Sequence, residues 1–152
     1  MGLAALSSER VGADLKGDGD PLDICILTER PISHGNILVD CIPIGGLRML
    51  DHGEADDKIV AVLKGDAAYG GYKSIADVSI ATLDRLRHYF LTYKQPPDAT
   101  TATSTITHVY GQAEAFDVIL RSLADYDERF GALETLLTEA LHFMSRDARG
   151  DA

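Results

Sequence analysis

The chain has 152 residues, 45% of them apolar, enough for one domain with a real hydrophobic core. Its 14 Lys and Arg against 24 Asp and Glu give a formal net charge of −10, which argues against nucleic acid or an anionic membrane as partner, because a polyanion is repelled over most of the surface. A polyphosphate substrate would need metal ions as intermediaries. Cys25 and Cys41 sit in apolar runs without a CxxC neighbour and read as reduced, buried thiols, and the first 17 residues hold no apolar run long enough for a signal or spanning helix, so a cytoplasmic setting is expected.

Residues 1–16 mix small, charged and glycine residues without a sustained period and read as an irregular N-terminal segment. Two β-branched, near-continuous apolar runs follow, at 23–28 and 37–44, separated by Pro31, Gly35 and Asn36; they predict two strands joined by a turn. Gly45-Gly46 predicts a bulge or sharp bend before a short run at 47–50. A third strand is expected at 58–63, then an aperiodic loop over 64–77. A helix is predicted from 82 to 94, with Leu83, Leu86, Phe90 and Tyr93 on one face and Arg85 and Arg87 off it. QPPDATTATST, residues 95–105, is the strongest breaker in the chain, and 106–110 reads as one more short strand. Gly111 opens a second helix with an apolar stripe of Phe116, Ile119, Leu120 and Leu123, expected to stop near Gly131. A last amphipathic helix is expected over 132–144, carrying Leu133, Leu136, Leu137, Ala140, Leu141 and Met144.

The chemistry concentrates in GDGDPLD, residues 17–23, whose three aspartates sit closer together than a folded chain tolerates without a compensating cation. If the segment runs extended, Asp18 and Asp20 project to the same side, and Pro21 stiffens the turn that presents Asp23. Hard oxygen ligands of this kind suit Mg²⁺, Mn²⁺ or Ca²⁺. Asp, Gly and Pro are also ordinary turn residues, and an acidic loop can be merely solvated. A calcium-binding helix-loop-helix loop fails as an alternative: Glu29 falls at its twelfth position counted from Asp18, but Leu22 and Asp23 stand where it requires an oxygen ligand and a glycine. The five histidines show no ligand spacing, and no GxSxG motif supports a serine nucleophile.

DGDPLDI resembles the signature of the soluble, Mg²⁺-dependent first family of inorganic pyrophosphatases, which runs Asp, small, Asp, Pro, apolar, Asp, apolar. DHGEADDK, residues 51–58, is similar to that family's second acidic loop, and Tyr93-Lys94 matches its Tyr-Lys pair. The resemblance covers residues 17 to about 128 and implies an α+β fold: a small OB-like β-barrel, here incomplete, flanked by two or three helices. It divides the chain into an irregular segment 1–16, a pyrophosphatase-like domain 17–130, and a C-terminal helix and tail 131–152. It implies Asp18, Asp23, Asp51 and Asp56 as ligands of several Mg²⁺ ions, with Mn²⁺ as a substitute, and Asp20 as general base. Lys58, Tyr93 and Lys94 become pyrophosphate contacts, although by themselves Lys58 reads as an ion-pair partner of Asp56 and Tyr93 as a core aromatic. Glu54 and Asp57 read as solvated or outer charges. The resemblance further implies a homo-oligomer.

Members of that family ordinarily carry a further part of the domain ahead of the aspartate signature, which supplies a Lys, an Arg, a Tyr and Glu residues to the site. Two functional classes are therefore open: a Mg²⁺-dependent enzyme splitting inorganic diphosphate into two phosphates with metal-activated water, or a catalytically weak or inactive metal- and phosphate-binding fragment or assembly subunit.

Overall fold

The computed structural model describes residue 17, residues 19–96, residue 98 and residues 103–147, except for the side chains of 134 and 139–147. The segment 1–16, Asp18 and the last five residues lie outside that set.

Five strands form one curled mixed sheet: β1 (Asp23–Leu27), β2 (Cys41–Asp51), β3 (Glu54–Ala55), β4 (Lys58–Leu63) and β5 (Ser104–Gly111). The hydrogen-bonded order is β1-β4-β2-β3, with β5 also paired to β2. β1 runs parallel to β4, bringing Asp23 level with Lys58, and β2 is antiparallel to β4, β3 and β5. Long β2 is thus shared: residues 41–47 pair with β4, while 45–51 pair with β5. Register shifts at Pro43/Gly45 and at Arg48/Met49 bend it between the two, as bulges do in small barrels.

The bend expected at Gly45-Gly46 is present and has a steric cause. A Cβ on Gly45 would stand 2.5 Å from the Tyr110 carbonyl oxygen, and one on Gly46 would stand 2.4 Å from the Tyr110 ring. β2 ends in a two-residue hairpin loop, His52 and Gly53, both in the left-handed region (φ 51° and 86°), the geometry that matches strand twist.

Helix α1 (Ile80–Thr92) is N-capped by the Ser79 side chain, which accepts from the Thr82 amide. It lays Leu83, Leu86 and Phe90 on one face of the sheet, against Leu27, Ile44, Leu47, Met49, Val60 and Val62. Helix α2 (Gln112–Asp147) covers the other face, where Ala115 and Val118 meet Ile59 and Tyr110. Successive residues of β4 therefore face α2 and α1 in turn, which decides where each charged residue before it points.

Several sequence expectations are corrected. Residues 37–40 are not strand; Leu38 is 79% exposed, and β2 instead runs on through the glycines to Asp51. α2 continues unbroken through Gly131, so no separate helix begins at 132. A mid-helix glycine costs only about 1 kcal/mol relative to Ala, and the good helix formers on both sides outweigh it. The stripe of α2 is rotated: of its expected members Ile119 and Leu123 are half-buried but Phe116 and Leu120 are exposed, while Ala115, Val118 and Ser122 are fully buried, because small residues let the helix approach β2 closely. At Gly19 the backbone turns into the left-handed region (φ 78°) instead of running extended. Cys25 and Cys41 are free thiols, as expected, but only partly buried.

Candidate active site

The acidic segments meet at one end of the sheet. An open cleft of about 340 Å³ is lined by Asp20, Pro21, Asp23, Asp56, Lys58, Tyr93 and Lys94. Asp23 arrives at the start of β1, Asp56 and Lys58 at the start of β4, and Tyr93 and Lys94 just past the end of α1. Of the candidate site residues, Asp20, Asp23, Asp56, Lys58, Tyr93 and Lys94 thus line one cleft and Asp51 stands beside it, joined through Lys94; Asp18 lies outside the described residues.

Lys58 is the centre of this arrangement. Its side chain is 1% exposed, and its ammonium donates to Asp23 Oδ2 at 2.6 Å and to Asp56 Oδ1. Burial opposes its charge, but the two carboxylates outweigh burial and hold its pKa above the ordinary lysine range. The Phe90 ring lies beneath it, 5.8 Å from Nζ. Lys94, 41% exposed, donates to Asp51 Oδ2 at 2.8 Å and lies 3.5 Å from Asp56 Oδ2, so it joins Asp51 at the rim to the cleft. The hydrogen bond to Asp51 is the main reason its pKa is also raised. Burial works against ionisation of Asp51, yet the hydrogen bonds from Lys94 and Ser104 prevail and lower its pKa. Tyr93 stacks on Tyr89, with ring centroids 5.1 Å apart, which leaves its ring fixed at the cleft wall.

The donor set fits a hard divalent cation. Asp20, Asp23, Asp51 and Asp56 offer carboxylate oxygens at or beside one cleft, and among the described residues these four carboxylates exceed the two ammoniums there. Among the described residues no three His, Cys, Asp or Glu side chains are placed to hold an ion together, so these carboxylates would have to turn from Lys58 and Lys94 to do so.

A family model described as inorganic pyrophosphatase matches residues 8–127. The chain belongs to that family. It is 51% identical over 121 residues to the inorganic pyrophosphatase of Chlamydia muridarum, a match spanning 77% of this chain and 58% of the relative. The Chlamydia caviae enzyme of the same name is 48% identical over 121 residues, again 77% of this chain, and 56% of its own length is covered. Among solved structures, an inorganic pyrophosphatase from Neisseria gonorrhoeae superposes with a TM-score of 0.65 at 32% identity, covering 74% of this chain and 64% of that one. The inorganic pyrophosphatase of Thermus thermophilus gives a TM-score of 0.65 at 27% identity, with coverages of 72% and 63%. The curled sheet with its flanking helices is the OB-like fold of the inorganic pyrophosphatases, with the barrel open among the described strands. The chain spans less than two thirds of the length of these relatives.

Two features around this cleft escape a reading of the sequence. Ser104, within a stretch legible only as a breaker, donates to Asp51 Oδ1 at 2.7 Å and orients it. Asp57 is not a solvated charge: it is 3% exposed, and its burial raises its pKa despite the neighbouring Arg48. No sequence signal marks Ser104, whereas Asp57 could have been found by alternation, since a residue between two cleft-facing ones must face the opposite side. Glu54, by contrast, is exposed as expected.

Proposed function

We propose that the chain carries the metal-holding part of a Mg²⁺-dependent inorganic diphosphatase, which splits diphosphate into two phosphates by attack of an activated water. The observation that carries this reading is the single cleft uniting Asp20, Asp23, Asp56, Lys58, Tyr93 and Lys94 in a chain of this family. Asp23, Asp51 and Asp56 would hold the ions, together with Asp18, whose place in the site rests on the resemblance. Bound Mg²⁺, or Mn²⁺ in its place, supplies charge neutralisation for the substrate and a lowered pKa for a bound water. Asp20, at the exposed lip of the cleft, takes the proton from the attacking water as general base. Lys94 and Tyr93 bind phosphate oxygens from the end of α1, and Lys58 does so from the cleft floor while keeping Asp23 and Asp56 at their spacing.

The unit 17–130 is the part to which we assign this role, in a cytoplasmic setting; none of the described helices is long and apolar enough to cross a membrane. The exposed Leu133, Leu136 and Leu137 on the last part of α2 support a homo-oligomer, a reading that a monomeric mass in sedimentation would remove. The engagement of both cleft ammoniums by carboxylates of the same site favours a second reading, a weakly active or inactive binder of metal and phosphate.

Phosphate release from pyrophosphate, with and without Mg²⁺, separates the two. Asp20→Asn is expected to lower turnover far more than metal affinity, whereas Asp23→Asn should lose metal as well, because one residue moves a proton and the other holds ions. Equal metal affinities in the two variants would contradict that division.

A further inference from the structure

Asp56, Asp57 and Lys58 are consecutive and all buried. Alternation sends Asp56 and Lys58 into the cleft and Asp57 to the opposite side of the sheet. There Arg48, midway along β2, places Nη2 3.3 Å from Asp57 Oδ2 and 3.0 Å from Glu114 Oε1 in the first turn of α2. The guanidinium lies 5.4 Å from the centre of the Tyr110 ring on β5. One side chain thus ties the acidic segment to three other elements.

The grip is reinforced through the backbone. The register shift between Arg48 and Met49 breaks the regular β2–β5 ladder at this point, a device that re-aims a side chain next to a site. The adjacent Met49 carbonyl accepts from the Asp56 amide at 3.0 Å, and the Met49 amide supports the Asp57 carboxylate. The dipeptide Arg48-Met49 therefore holds both residues 56 and 57.

Stability is a weak reason for such a cluster. Buried ion pairs seldom outperform well-packed apolar residues, and this one leaves the buried Arg48 Nε without a hydrogen-bond partner among the described residues. What a planar guanidinium fork does supply is direction. We propose that Arg48 is a positioning residue: by fixing Asp57 from behind the sheet, it sets the placement of Asp56 and Lys58 in the cleft. The inference rests on the metal-binding reading of that cleft.

The test is calorimetric titration of Mn²⁺ into the wild type, Arg48→Met and Arg48→Lys, with denaturant unfolding run in parallel. Loss of an outer support of a metal ligand typically weakens affinity about 10–100-fold, and that loss is expected for Arg48→Met. Arg48→Lys should recover only part, since it restores charge but not the fork. Val118→Ala, which opens the α2 contact away from the cleft, should lower stability and leave Mn²⁺ affinity unchanged. If Arg48→Met does not fold, Glu114→Gln loosens the same guanidinium, and a severalfold weaker affinity is expected. Unchanged affinity in Arg48→Met, or in Glu114→Gln where that variant stands in, overturns the inference, as does an equal loss in Val118→Ala. A wild type that binds no Mn²⁺ removes the metal reading and this inference together, whereas equal binding by wild type and Arg48→Met removes this inference alone.

Discussion

Assayed by itself with Mg²⁺ and pyrophosphate, the 152-residue chain is expected to release phosphate slowly, and supplying the segment that precedes the aspartate signature in its relatives is expected to raise the rate at least roughly 10²–10³-fold. The reason lies in what the cleft offers. Its two ammoniums, Lys58 and Lys94, are both engaged by carboxylates of the same site. Phosphoryl transfer depends on cations placed beforehand around both the attacked and the leaving phosphate, and the resemblance implies that family members supply a further Lys, an Arg and a Tyr from the part of their domain that precedes the aspartate signature. The matched part is 58% of a Chlamydia relative's length, and among the described strands β1 is hydrogen-bonded to one neighbour, β4. Turnover of the unextended chain in the usual enzyme range, about 1–10³ s⁻¹, would mean that residues within it already provide the clamp.

Lys58→Met is expected to be the most damaging single substitution for folding. It leaves Asp56, 3% exposed, facing Asp23 without the ammonium that separates them. Removing one partner of a buried pair costs about 3–5 kcal/mol; Lys94, still 3.5 Å from Asp56, places the loss at the lower end. In a chain of this size that is a drop in Tm of roughly 6–12 °C. Because the folded state raises the Lys58 pKa, its contribution is fully present below the unfolded value of about 10.4 and is lost only as pH rises through the higher folded one. The deficit should therefore be constant across neutral pH. Mn²⁺ should narrow it, since an ion held by the same carboxylates restores positive charge to the native state. A variant that melts together with the wild type would show that Lys58 does not hold the segment.

Much of this was legible in the chain. The strand at 58–63 has the predicted bounds, because an unbroken β-branched run flanked by charge leaves little alternative. The bend at Gly45-Gly46 was marked by residues whose missing side chains make room for Tyr110. The aspartates of residues 17–23 stood out because their type and spacing carry chemistry of their own, whereas Lys58, Tyr93 and Lys94 were marked only by the family resemblance. The unbroken α2 was not legible, since one glycine ends a helix only when the residues around it do not themselves favour continuing, and good helix formers flank Gly131. Nor was its buried face: periodicity follows large apolar residues such as Phe116, whereas close approach to β2 selected Ala115, Val118 and Ser122. The Arg48, Asp57 and Glu114 cluster was invisible for a different reason, since its members are 9 and 57 residues apart and meet only through the sheet and α2.

The central claim is that the carboxylates gathered around Lys58 and Lys94 form a divalent-cation site. Calorimetric titration of the folded wild type with Mn²⁺ tests it most directly, with Asp23→Asn as the comparison. The account predicts saturable binding at or below millimolar metal by the wild type and a marked loss in Asp23→Asn. A wild type that keeps its fold and takes up no ion at millimolar Mn²⁺ would contradict it.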